Sequence, residues 1–249
     1  MTIVPTDAPL PATAAPGGNA GEAAAVREGW HLDWGVRPYA EMHALQQRLV
    51  IARAEGRLPN LLLTGEHEPV ITLGRKTPGG FPGAGSIPVV EVERGGEATY
   101  HGPGQLVAYP LIHLTEARRD LHRFQRDLEE IGISVCGDFG LRAGRIEGRT
   151  GVWVGPKKIM SLGIAVRRWV TWHGLALNVS TDLAPFRLFH PCGLDGSVMT
   201  SLAAELGHGP PLASARASLV RHASTLLPGG PFVETPWDRL AAVGVAGLA

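Results

Sequence analysis

Two cysteines and three lysines are the side chains of this 249-residue chain best suited to covalent and proton-transfer chemistry, and their surroundings distinguish them. Cys192 stands in FHPCGLDG, between a proline and a glycine, flanks that place a thiol on an accessible turn. Cys136, in ISVCGDFG, ends an apolar run and reads as a small core residue. A thiol attacks only as the thiolate, so Cys192 needs a base or a cation beside it; the candidates are His101, His173, His190 and Lys158. Lysine occurs only at Lys76, Lys157 and Lys158, the other basic residues being arginine, which keeps its proton. Lys157 and Lys158 open a strand-like run, and alternation sends them to opposite faces, so one of them points inward. A lysine taken out of water releases its proton more readily and serves as a base.

The second chemical feature is the loop RGGEATYHGPGQLVAYP, Arg94 to Pro110. It lacks the GxxxxGK of a phosphate-cradling loop and the GxGxxG of a dinucleotide site. Its glycines either admit a ligand to the backbone, where N–H groups hydrogen-bond a carbonyl or an anion, or simply make tight turns at strand ends. His67, His101, His173, His190 and Cys192 show no close CxxC or HxxxH pair, so no metal is expected.

These residues need elements to position them. Residues 1–28 are rich in Ala, Pro and Gly without apolar periodicity and are expected to be a disordered extension, followed by one domain over 29–249. Tyr39, Met42, Leu45 and Leu49 recur at helical steps between Pro38 and Gly56. NLLLT, VITLG, IPVVEVE and LVAYPLIHL are short apolar runs punctuated by Gly and Pro, and read as strands. DLHRFQRDLEEIG predicts a helix capped by Asp120 and stopped by Gly132. GVWVG, KIMSLGIAVRRW and TWHGLALNV predict three consecutive antiparallel strands; GSVMTSLAAELG and ASARASLVRHASTLL have helical spacing. The fold class is therefore α+β: a mixed or antiparallel sheet with packed helices.

Formal net charge is zero, with 23 basic and 23 acidic residues dispersed along the chain, which argues against a nucleic-acid or membrane-surface binder. Two cysteines are too few for a disulfide framework, and the first residues carry no secretory signal pattern. No apolar run approaches the ~20 residues of a membrane span. A soluble cytoplasmic monomer is expected.

Arg94 through Tyr109, and the stretch KIMSLGIAVRRWVTWHGLALNVSTDLAPFRLFHPCGL from Lys158 to Leu194, resemble the two signatures of the lipoate-protein ligase B family, the octanoyltransferases. The resemblance spans about residues 30 to 225; the N-terminal extension lies outside it. It implies a biotin/lipoate protein ligase-like single domain with Cys192 as nucleophile and Lys158 as acid–base partner. It places the substrate pocket at Arg94, Gly95, Gly96, Glu97, Ala98, Thr99, Tyr100 and His101, at Ser161, Leu162 and Gly163, and at Gly174, Leu175 and Ala176. His67 and His173 match histidines of the family pattern and are expected to support the site. Tyr100, Leu106 and Val107 are expected to line or brace the pocket, and backbone N–H groups near Cys192 or in the glycine loop to hold the oxyanion. The implied donor is octanoyl-acyl carrier protein. The implied acceptors are lipoyl domains of 2-oxoacid dehydrogenase E2 subunits and the glycine cleavage H protein. No cofactor, ATP or metal is expected. An acidic carrier suits a basic surface, for which Arg118, Arg119, Arg123, Arg126, Arg142, Arg145 and Arg149 are candidates. The rivals are an ATP-dependent ligase on the same fold, a Cys–His hydrolase and a non-catalytic binding protein.

Overall fold

The computed structural model describes residues 28–77, 79, 81, 85–189 and 196–245. His190, Cys192 and, apart from Glu28, the N-terminal extension lie outside the described residues. The described chain forms β1 (Gly29–Arg37), α1 (Tyr39–Ala54), β2 (Leu61–His67), β3 (Val70–Leu73), β4 (Val89–Glu91), β5 (Thr99–His101), β6 (Gln105–Leu111), α2 (Leu121–Asp138), β7 (Gly144–Ile146), β8 (Arg149–Val154), β9 (Lys157–Arg167), β10 (Val170–Asn178), α3 (Leu202–Leu206), α4 (Leu212–Leu226), β11 (Phe232–Glu234) and α5 (Asp238–Ala242). Eight strands form one sheet in the order β11-β1-β2-β6-β10-β9-β8-β7, and β4-β3-β5 form a second. In the large sheet β1 runs parallel to β2 and β11, and the other pairs are antiparallel. The sheet is mixed, one of the two forms the sequence leaves open.

Helices cover both faces. Phe124, Leu128, Ile131 and Val135 of α2 pack with Leu219 and Ala223 of α4 against Met160, Leu162 and Ile164 of β9. On the other face Met42, Leu45 and Leu49 of α1 and Leu240 of α5 cover Leu61, Leu63, Tyr109 and Trp172. The three consecutive strands are found as β8, β9 and β10. Between β9 and β10, Arg168 and Trp169 both adopt positive φ (50° and 59°), the requirement of a two-residue turn matching strand twist. Arg119 lies over the Trp169 ring at 4.6 Å.

Two expectations need correction. Helix α2 begins at the Asp120 cap, whose carboxylate accepts from the Arg123 N–H at 2.9 Å, but it runs on through Gly132 to Asp138. An interior helical glycine costs about 1 kcal/mol, whereas each large apolar side chain buried contributes about 1.5–3 kcal/mol, so burial of Ile131 and Val135 carries the helix past it. Gly132 is there for space: a Cβ would sit 2.5 Å from Met160 Cε and 3.0 Å from Val152 Cγ2. The second correction concerns GSVMTSLAAELG, which is not one helix. A 3-10 turn at Gly196–Val198 is followed by a bridge from Met199 to Lys158, and only Leu202–Leu206 is α-helical. Ser201 caps that helix through Ala204 N–H, and Gly207, at φ 76°, ends it. Strands β1, β5, β7 and β11 are additional to those expected. The last three are only three residues long, and β1 carries charge and glycine among its apolar residues.

Gly132→Val should lower the unfolding free energy by about 1–3 kcal/mol in urea titrations. Combined with Met160→Ala, the loss should be smaller than the sum of the two single losses, because the space opened by one change receives the other.

Candidate active site

The glycine loop is laid directly on β9. A Cβ on Gly163 would stand 2.9 Å from Arg94 Cδ and 3.0 Å from Gly95 O, and the Gly95 N–H donates to Ile164 O at 3.1 Å. Arg94 is 7% exposed, and its permanent charge is met by acceptors fixed in the fold. Nη2 donates to the carbonyl and hydroxyl oxygens of Thr72, both at 2.8 Å; Nη1 donates to Glu97 O at 2.8 Å and Gly95 O at 3.1 Å.

A cleft remains between loop and sheet. Arg94, Thr99 and His101 line it from the loop, Ser161 to Gly163 from β9 and His173 to Ala176 from β10, with Tyr39 and Tyr109 completing it. The two strand motifs are register partners: Ser161 opposes Ala176, Leu162 opposes Leu175 and Gly163 opposes Gly174. Two small-residue pairs thus keep this stretch of sheet low, and the antiparallel hairpin makes one wall from segments ten residues apart.

Several expected pocket residues brace the cleft rather than line it. Gly95 and Glu97 hold Arg94 through their carbonyls, and Gly96, at φ 85°, turns the chain and accepts the Lys76 N–H at 3.0 Å. Ala98 and Tyr100 join Ile71, Phe186, Phe189 and Met199 in a separate apolar cluster, because alternation along β5 directs Tyr100 away from Thr99 and His101. Leu106 and Val107 enter the two cores on opposite sides of the large sheet. The loop's N–H groups are not all available to an oxyanion, since Gly95 is bonded to Ile164 and the Gly104 N–H donates to Glu66 Oε2 at 2.6 Å. Gly104 O in turn accepts from Val179 N, Ser180 N and Thr181 Oγ1, tying the Gly-Pro-Gly turn to the chain that leaves β10.

Lys158 is 3% exposed, whereas Lys157 faces out and pairs with Glu205 at 3.3 Å, the alternation expected at the start of β9. The Lys158 Nζ lies 5.7 Å from the Trp153 ring centroid. Gly151, at φ 122°, makes room for the stem: a Cβ there would be 2.7 Å from Lys158 Cε. The Gly151 N–H donates to Oε1 of fully buried Glu129, which also accepts from Arg126 and Arg145 at 2.7 and 3.0 Å. Among the arginines expected at a carrier surface, those two are therefore engaged with Glu129, and Arg149 lies over Trp153 at 5.7 Å.

Histidines form a neutral layer around the cleft. His67, behind it, donates from Nδ1 to Arg37 O at 3.0 Å, so its Nε2 accepts the Tyr109 hydroxyl at 2.7 Å. His101 donates from Nδ1 to Gln105 Oε1 at 2.8 Å; Gln105 Nε2 donates to Tyr100 O and Asn178 Oδ1, which fixes the amide orientation. Burial depresses His67 to about 4, and burial with the neighbouring His67 depresses His101 to about 3. Burial, reinforced by Arg94, holds His173 well below the usual range. His173 also has a left-handed backbone, φ 54°. A regular strand sends adjacent side chains to opposite faces, yet the Trp172 and His173 rings stack at 4.3 Å and both meet His43 of α1. Tyr39 and Tyr109, unassigned to the pocket in the sequence reading, enter it through helix docking and strand pairing; only the inclusion of Tyr109 in the loop motif signals either one.

His67 and His101 bind protons in the unfolded chain below about 6.5 but stay neutral when folded until about 4 and 3. Their stabilisation is thus complete above pH 6.5 and is lost as pH falls through that window, by up to ~1.4 kcal/mol per pH unit per group. Urea midpoints should drop between pH 6.5 and 5, and His101→Gln should show the shallower slope.

The sequence matches the lipoyl protein ligase A/B catalytic domain over residues 38–224. It is 44% identical over 209 residues to an octanoyltransferase of Geobacter sulfurreducens, covering 84% of this chain and 85% of the relative. It is 48% identical over 195 residues to an octanoyltransferase of Syntrophotalea carbinolica, covering 78% and 92%. A crystal structure of lipoate-protein ligase A bound with ATP superposes with a TM-score of 0.68 at 19% identity, covering 87% of this chain and 92% of that one. The likeness in structure bears out the ligase-like fold, and the match over most of the chain settles its kinship: this protein belongs to the lipoyl protein ligase A/B catalytic domain family.

Proposed function

We propose that the protein transfers an octanoyl group from octanoyl-acyl carrier protein to a lysine of lipoyl domains, through a thioester on Cys192. The observation that carries this reading is the cleft formed by the SLG and GLA register partners under the Arg94 loop, on the strand that begins with buried Lys158. Relatives at 44–48% identity named octanoyltransferase favour it over the ATP-dependent ligase, whose solved example shares 19% of the sequence. The acceptors are lipoyl domains of 2-oxoacid dehydrogenase E2 subunits and the glycine cleavage H protein.

In the first half-reaction Lys158 Nζ takes the Cys192 proton and Sγ attacks the octanoyl carbonyl. The bond from that carbon to the carrier sulfur breaks, and the Lys158 ammonium returns the proton to the departing thiolate. In the second, the acceptor's neutral amine attacks the new thioester and gives a proton to Lys158. The carbon–Sγ bond breaks, and Lys158 reprotonates Cys192. Exchange of a thioester for an amide is downhill, so the transfer uses neither ATP nor a metal. Met199, seven positions after Cys192, bridges to Lys158, which supports bringing the two groups together. The proposed enzyme is cytoplasmic and acts as a monomer on its protein substrates. Among the described residues no helix is long and apolar enough to cross a membrane.

Intact-protein mass spectrometry with octanoyl-acyl carrier protein and no ATP should show a hydroxylamine-sensitive octanoyl adduct on wild type. Cys192→Ala should show none, and Lys158→Ala should acylate slowly. An adduct that survives Cys192→Ala, or appears only with ATP, refutes the reading. Ser161→Phe, which fills the cleft wall, should disfavour octanoyl relative to shorter donors by roughly 0.8 kcal/mol for each methylene excluded, read as a ratio of kcat/KM values.

A further inference from the structure

We propose that His43, Glu93 and His173 form a binding site for one divalent cation of the zinc class, which shares His173 with the wall of the cleft and takes no part in the proton transfers assigned to Lys158. Three segments distant in sequence deliver them: α1, the chain just after β4, and β10. One ligand atom from each residue lies within 4.8 Å of the other two. His43 Nε2 and Glu93 Oε2 are 2.9 Å apart, and His173 Nε2 stands 3.9 Å from the same carboxylate oxygen. Ligand bonds of ~2.0–2.2 Å in a tetrahedral site leave ligand atoms roughly 3.3 Å apart, so small side-chain rotations close this set around an ion.

The His173 ring supplies an independent observation. It is 2% exposed, and its Nδ1 faces the Tyr39 hydroxyl at 3.4 Å. Its Nε2 is buried without a hydrogen-bond partner among the described residues, Glu93 lying beyond reach. A buried imidazole nitrogen left in that state is costly. A metal-binding histidine shows the same pattern: one nitrogen held by a polar neighbour, which fixes the tautomer, and the other aimed at the ion. The left-handed backbone presents the ring to α1, and the His173 N–H is held by Gln46 Oε1 at 2.8 Å.

The surroundings provide both access and selectivity. Glu93 is partly exposed and borders an open cavity of about 230 Å³ shared with Gln47, Arg75, Arg167 and Trp172, with room for water or an anion as a further ligand. The arginines there and Arg94 nearby oppose a hard cation held mainly by charge. Two imidazoles and a single carboxylate favour a borderline ion such as Zn²⁺ over Mg²⁺ or Ca²⁺.

The test is calorimetric titration of the chelator-stripped full chain with Zn²⁺, repeated with Co²⁺ to read tetrahedral coordination by visible absorption. One equivalent should bind to wild type and equally to Cys192→Ser, which removes the chain's one thiol besides buried Cys136. Glu93→Gln and His43→Ala change partly exposed side chains; they should weaken binding at least roughly tenfold while melting, metal-free, within a few degrees of wild type. One equivalent of Zn²⁺ should raise the melting temperature of wild type and not of Glu93→Gln. The absence of stoichiometric binding, its loss in Cys192→Ser, or wild-type affinity in both Glu93→Gln and His43→Ala overturns the proposal.

Discussion

Everything at this site depends on a backbone-to-backbone approach between the Arg94 loop and β9. The hydrogen bond from Gly95 to Ile164 forms only because Gly163 presents no side chain to the loop. That approach sets the height of the cleft, because the loop becomes its roof and the strand its floor. Arg94 then locks the loop's shape from inside, joining Thr72 of β3 to the carbonyls of Gly95 and Glu97. A flexible loop would spend conformational entropy on each substrate it met. Here the ordering is done in folding, and the cleft is preformed.

Much of this was legible in the sequence because the governing forces are local. Apolar periodicity marked α1, α2 and α4, and the three-strand run at β8 to β10 followed from short spacers and β-branched content. The motif residues were legible only as types. SLG and GLA look like unrelated tripeptides until the hairpin between them closes, whereupon they become register partners. Gly132 misled because a helix stop and a tight packing site use the same residue; the deciding information lies in Met160, twenty-eight positions away. Tyr39 was hidden for a similar reason, since its place in the cleft depends on how α1 docks. Cys192 and His190 fall outside the described residues, so the structure bears on their roles only through their neighbours.

The polar residues around the cleft form a layer kept neutral by burial, apart from Arg94. His67, His101 and His173 are all depressed, while burial raises the tyrosine hydroxyls of Tyr39 and Tyr109. Such a layer hydrogen-bonds without adding mobile charge, which fits the proposed function, in which the cleft takes an acyl chain and Lys158 moves the protons. Cys136 shows the same principle for sulfur: buried in α2, its thiol is pushed up to about 12 and is no competitor as a nucleophile.

The glycine at position 163 has a further meaning for anyone comparing chains of this kind. Its requirement is steric, set by loop atoms that a Cβ would strike, and it would persist in a chain whose lysine and cysteine had been replaced. The glycine motif therefore reports the architecture of the cleft, whichever residues stand at positions 158 and 192. A descendant that kept this glycine and exchanged those two residues would still lay the same loop over β9 and keep the same cleft between them.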